Sequence, residues 1–148
     1  MKWDKNVDNF CPHHRDLPDK DPLGTTDPFV TVYLTENDEK NEKEIGRSAT
    51  LTDDENPDWS DVFSFDFDRK KNQVRKLARL TCFCVLHLQN QNCLLLLQRL
   101  HFIIRDHDFG QPDDHVAQVW VSVNEYVDKK QYLQVNLIKR GYLIVKKV

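Results

Sequence analysis

Two stretches of this chain concentrate carboxylates among turn residues. The run KDPLGTTDPFV (20–30) carries Asp21 and Asp27, and the run RDHDFGQPDD (105–114) carries Asp106, Asp108 and Asp114. Each run abuts a strand-like apolar segment. Carboxylates gathered from two loops repel one another strongly unless a cation stands between them. Ca²⁺ suits the role, because it takes six to eight oxygen ligands from flexible loops. The chemistry to expect is therefore a calcium site assembled from two loops.

The segments around these loops read as short strands. PFVTVYL (28–34) puts Phe29, Thr31 and Tyr33 on one face and Val30, Val32 and Leu34 on the other. IGRSATL (45–51) is a weaker strand, and TDDENPDW (52–59) a loop broken at Asn56-Pro57. Residues 61–67 alternate, with Phe63, Phe65 and Phe67 on one face and Val62, Ser64 and Asp66 on the other. RLHFIIR (99–105) runs into the second aspartate loop, followed by HVAQVWVSV (115–123), a helix or turn at 124–130, YLQVNLI (132–138) and GYLIVKKV (141–148). Short strands, frequent turns and almost no helix predict an all-β, antiparallel β-sandwich.

Composition narrows the function. The 148 residues are 39% hydrophobic and 30% charged, a globular balance long enough to bury a core. A net charge of −3 offers no general attraction to nucleic acid. The four cysteines show no CxxC spacing, which points to reduced thiols and a cytoplasmic setting. The N-terminal run has no apolar core of a signal peptide. The histidines are scattered, and no glycine-rich phosphate loop or nucleophile motif is present, so no enzyme activity is expected. Residues 1–15 lack alternation and read as a disordered N-terminal tail. Cys11, His13 and His14 within it lack the further ligand spacing of a usual metal site.

Read together, these runs resemble the C2 domain family over about residues 16–73 and 99–148. The family's first calcium loop, D-x-x-G-x-S-D-P-Y/F-V, is matched by Asp21-Pro22-Leu23-Gly24-Thr25-Thr26-Asp27-Pro28-Phe29-Val30. Its N-P-x-W and F-x-F are matched by Asn56-Pro57-Asp58-Trp59 and Phe63-Ser64-Phe65. Its third loop is matched by Asp106-His107-Asp108 and Asp114, with Asp113 an adjacent substitute. The resemblance implies that Asp21, Asp27, Asp106, Asp108 and Asp114 bind Ca²⁺, with backbone carbonyls near Lys20 and His107 completing the shell. It further implies peripheral recruitment to an anionic phospholipid membrane, with Leu23 and Phe109 near the loop tips as membrane-contacting residues. Arg69, Lys70 and Lys71 are either an added attraction for anionic lipid or a solvated turn. The alternative is a calcium-independent protein-interaction module.

Two departures from the family stand out. The final strand suggests the permuted type II arrangement, in which the first strand would precede the first loop, yet residues 1–15 supply no apolar strand. The expectation is a domain at 16–148 missing its first strand. Residues 74–98 (VRKLARLTCFCVLHLQNQNCLLLLQ) contain three cysteines and no Asp or Glu, although the chain has 24 acidic residues. This insertion is too long for an ordinary hairpin connection. Val74-Arg75 can be encoded GTA-AGA and Gln98 CAG, the ends of an intron, which suggests a retained in-frame intron; the rival is a partner-binding or membrane-touching helix. The exon map tests this: boundaries are expected at both ends of 74–98, and an uninterrupted exon in every transcript contradicts it.

Overall fold

The computed structural model describes residues 6–17, 26–35, 41–67, 98–137 and 140–148. Residues 74–97 of the insertion at 74–98 lie outside them, as do Asp21, Leu23 and Arg69–Lys71. Eight strands form two antiparallel sheets: β1 (Asn6–Arg15), β2 (Pro28–Thr35), β3 (Glu42–Arg47), β4 (Phe63–Phe67), β5 (Arg99–Asp106), β6 (Asp114–Ser122), β7 (Tyr132–Asn136) and β8 (Tyr142–Lys147). One sheet has the order β4-β1-β8-β7 and the other β3-β2-β5-β6. A short helix, α1 (Val123–Asp128), joins β6 to β7. The all-β sandwich expected from the turn and strand pattern is the observed architecture.

The core lies between the sheets. β4 shows the expected period of two: Phe63, Phe65 and Phe67 are buried, while Ser64 and Asp66 face solvent. Phe10 of β1 sits among aromatic rings, with centroids 5.6 Å from Phe63, 5.7 Å from Phe102 and 5.9 Å from Tyr126. Aromatic pairs at these separations add stabilisation beyond their buried area. β2 departs from simple alternation, since Phe29 and Thr31 are buried as well as Val30 and Val32. It is an inner strand, between β3 and β5. Its other face is covered in part by the Arg47 guanidinium, 3.6 Å from the centre of the Phe29 ring.

The expected tail is corrected over residues 6–15, and with it the missing first strand. Asn6–Arg15 is a central strand, pairing with β4 from Asn6↔Phe67 to Phe10↔Phe63 and with β8 from Phe10↔Lys147 to Arg15↔Tyr142. Alternation is present but disguised, because the inward positions after Phe10 are Pro12 and His14, both buried. Beyond Phe10 the partner on the β4 side is a loop: the amides of His14 and Leu17 donate to the carbonyls of Pro57 and Glu55, each at 2.9 Å. A proline is tolerated where the ladder on one side has run out.

His14 is the unusual core member. Its side chain is fully buried, and neither ring nitrogen has a hydrogen-bond partner. Gly141 lies against it at φ +79; a Cβ there would come within 2.8 Å of the His14 ring and 2.4 Å of two backbone carbonyls. Burial, with Arg15 adding and Asp16 opposing, pushes the His14 pKa down to about 4. The unfolded chain protonates this ring near its ordinary value of about 6.5. Between the two values the unfolded state binds more protons, so the His14 contribution is complete above that upper value and is lost as pH falls. The loss by the lower value is about 3 kcal/mol. Chemical denaturation from pH 7.5 to 4 is expected to show that decline in the wild type and a shallower one in His14→Leu; parallel curves would contradict it.

Candidate metal centre at the loop end of the sandwich

Strand register brings the predicted aspartates to one end of the molecule. β2 begins at Pro28, whose cross-strand partner is Asp106 at the end of β5; Asp106 in turn faces Asp114 at the start of β6. Asp27 immediately precedes β2, and Asp108 follows β5 by two residues. Four of the five predicted ligands therefore share this end. The fifth, Asp21, lies outside the described residues. Sequence spacing could suggest the cluster, but antiparallel pairing of β2, β5 and β6 creates it.

Asp106 is 7% exposed, a rare depth for a carboxylate. Its Oδ1 accepts the backbone N–H of Asp27 at 2.7 Å. In return the His107 N–H donates to the Asp27 carbonyl at 3.1 Å. These two bonds tie the segment preceding β2 to the segment following β5. A third segment joins them: the Asp53 N–H donates to Asp27 Oδ1 at 2.9 Å, and the Asp54 N–H donates to the Thr26 carbonyl at 3.1 Å. Asp53 has a φ of 55°, a left-handed conformation that aspartate adopts more readily than most residues. The buried Trp59 indole donates to the Pro28 carbonyl at 3.3 Å, anchoring the same loop to β2. Apart from the Asn56-Pro57-Asp58-Trp59 match, the run from Thr52 to Pro57 reads in the sequence only as a loop; its density of acidic residues is the available signal.

The segment after β5 presents the remaining groups. Asp108 is half-buried, and its carbonyl accepts the Gln111 N–H across a turn closed by Gly110 at φ +80. Phe109, at the tip of that turn, is 101% exposed. Asp113 and Asp114 are separated by their partners: the Asp113 carboxylate meets His107 Nδ1 at 2.9 Å, whereas Asp114 belongs to β6 opposite Asp106. The His107 hydrogen bond holds the Asp113 carboxyl below its usual range.

Among the described residues, no three Asp, Glu, His or Cys side chains are grouped tightly enough to hold a metal ion. The donor chemistry at this end nevertheless fits a hard cation. It consists of carboxylate oxygens and loop carbonyls, the set preferred by Ca²⁺ rather than by zinc. A carboxylate offers about four lone-pair sites, so the amide bonds accepted by Asp27 and Asp106 leave capacity for coordination. Asp106 is thus a structural acceptor as well as a candidate ligand. Asp106→Ala is expected to cost about 1–3 kcal/mol in calcium-free denaturant melts, because it orphans the Asp27 amide. Asp106→Asn, which keeps an acceptor oxygen, is expected to cost clearly less; equal costs would contradict the role of the hydrogen bond.

A family model, the C2 domain, matches residues 13–137. The first of the C2 domains of a plant extended synaptotagmin 1, domain A, superposes with a TM-score of 0.65 at 21% identity, covering 99% of this chain and 95% of that one. The calcium-bound pair of C2 domains, A and B, of extended synaptotagmin 2 aligns with a TM-score of 0.59 at 17% identity, covering 97% of this chain and 45% of that one. Human GIVD cytosolic phospholipase A2 gives a TM-score of 0.60 at 18% identity over 95% of this chain, which spans only 16% of the enzyme's chain. No curated protein matches the sequence. Among the described residues no helix is long and apolar enough to cross a membrane. With the family model matching most of the sequence and the two sheets superposing on these sandwiches, the chain belongs to the C2 domain family.

Proposed function

We propose that this domain is a calcium-dependent phospholipid-binding module that associates peripherally with anionic membranes from the cytoplasm. Asp21, Asp27, Asp106, Asp108 and Asp114 are the assigned ligands, with Leu23 and Phe109 as membrane-contacting side chains. The observation that carries the reading is the gathering of Asp27, Asp106, Asp108 and Asp114 at the end of the sandwich that also bears the fully exposed Phe109. Bound Ca²⁺ would supply positive charge and open coordination positions for lipid phosphate oxygens. Without a cation, the same carboxylates repel an anionic surface. The Asp106 bond to the Asp27 amide holds the two segments in register, which lowers the ordering cost of bringing their carboxylates onto one ion. Phe109 adds an apolar ring that can leave water as the loop meets the headgroups. The structurally similar extended synaptotagmin 2 domains were solved calcium bound, which supports a calcium role here.

Sedimentation with vesicles of phosphatidylserine and phosphatidylcholine tests this reading. Pelleting is expected with Ca²⁺ and not with EDTA, and Asp108→Asn is expected to weaken it. Phe109→Ala is expected to reduce vesicle affinity about tenfold, or ~1.4 kcal/mol, through lost apolar burial. Equal pelleting in EDTA would contradict calcium dependence, and no pelleting in either condition would favour a protein-interaction module.

A further inference from the structure

The same strand that escaped sequence reading carries a second group of reactive side chains, remote in role from the aspartate loops. In β1, Cys11 and His13 are two residues apart and so share the outward face, while His14 points into the core. Cys11 Sγ lies 3.5 Å from His13 Nε2. The other ring nitrogen, His13 Nδ1, is paired with the Asp58 carboxylate, and the backbone of these two residues forms an isolated antiparallel bridge. The His13 side chain is 14% exposed and that of Asp58 64%, so the imidazole is held between a fixed strand and a carboxylate in water. Cys11 is half-buried and forms no disulfide.

The order of these groups is a nucleophile, a base and a carboxylate that orients the base. With the Asp58 carboxylate beside Nδ1, a proton held on that nitrogen leaves the Nε2 lone pair toward the thiol. We propose that Cys11 is a base-assisted reactive thiol, a site of reversible modification by small-molecule disulfides, with His13 as the base and Asp58 as its positioning residue. In the exchange, the Cys11 proton passes to His13 as Sγ attacks one sulfur of the disulfide. A new Sγ–S bond forms, the original S–S bond breaks, and the departing thiolate recovers the proton from the imidazolium. Cys11 is oxidised to a mixed disulfide while the small disulfide is reduced to one thiol and one bound half.

The surrounding charges explain why a base is needed. Burial pushes the Cys11 thiol up; Lys146, its register partner on β8, pulls it down less strongly, and Asp58 opposes Lys146. The resting group is therefore a thiol rather than a stored thiolate. Its reaction therefore needs a neighbouring group to take the proton, and the His13 imidazole is the one in reach.

The test is the rate of mixed-disulfide formation with oxidised glutathione on the full chain from pH 5.5 to 10. The Cys11 peptide is resolved by mass spectrometry from Cys82, Cys84 and Cys93. The wild-type Cys11 is expected to form the mixed disulfide readily at pH 7, where its own thiol is protonated. His13→Ala is expected to react at least tenfold more slowly at pH 7 and to keep accelerating past pH 9, with Asp58→Asn intermediate. A wild-type Cys11 rate at pH 7 no faster than that of the same chain unfolded in urea overturns the proposal without recourse to any variant. So does a His13→Ala rate within twofold of wild type at pH 7 in a sample whose melting temperature is unchanged.

Discussion

The hydrogen bond from the Asp27 amide to the buried Asp106 carboxylate organises the loop end of this domain. At 2.7 Å it joins the residue that precedes β2 to the residue that ends β5, 79 positions later in the chain. Burying a carboxylate is costly unless its oxygens are satisfied, and an amide donor offsets part of that cost. The same strand register places further carboxylates at this end, and like charges on one end repel. The fold accepts a concentration of negative charge, and a cation would relieve it.

The remainder of the architecture serves that arrangement. β2 and β5 pair over eight residues, from Pro28↔Asp106 to Thr35↔Arg99, so the two loop-bearing strands are locked along their length. Trp59 and the amides of Asp53 and Asp54 fasten the 50s loop onto the same end. β1 closes the opposing sheet between β4 and β8 and contributes Phe10 to the aromatic centre of the core. With β1 in place the sandwich has the strand that would otherwise leave a core edge unpaired.

Much of this was legible in the residues. FSFDF announced a half-buried strand, and the apolar runs near 28–34, 99–105, 115–123, 132–138 and 141–148 became β2, β5, β6, β7 and β8. The spacing of the aspartates also anticipated that Asp27, Asp106, Asp108 and Asp114 would share one end. β1 was hidden because Pro12 and His14 occupy inward positions that alternation rules expect to be apolar. The dual role of Asp106 was hidden for another reason. A carboxylate that accepts a distant amide has no local signature, since its donor lies on another strand. The same holds for Cys11, His13 and Asp58, which strand pairing and a loop contact bring together. The insertion at 74–98 remains a feature of the sequence, with all of it but Gln98 outside the described residues.

The central claim is that segments fastened by Asp106 act as one calcium-binding unit. A calcium titration followed by backbone amide chemical shifts tests it directly. The amides of Asp27, Asp53, His107 and Asp108 are expected to shift together with one midpoint for the first ion bound, while those of β7 stay still. Shifts confined to a single segment, separate midpoints for the two aspartate loops, or no response at millimolar calcium would contradict the account.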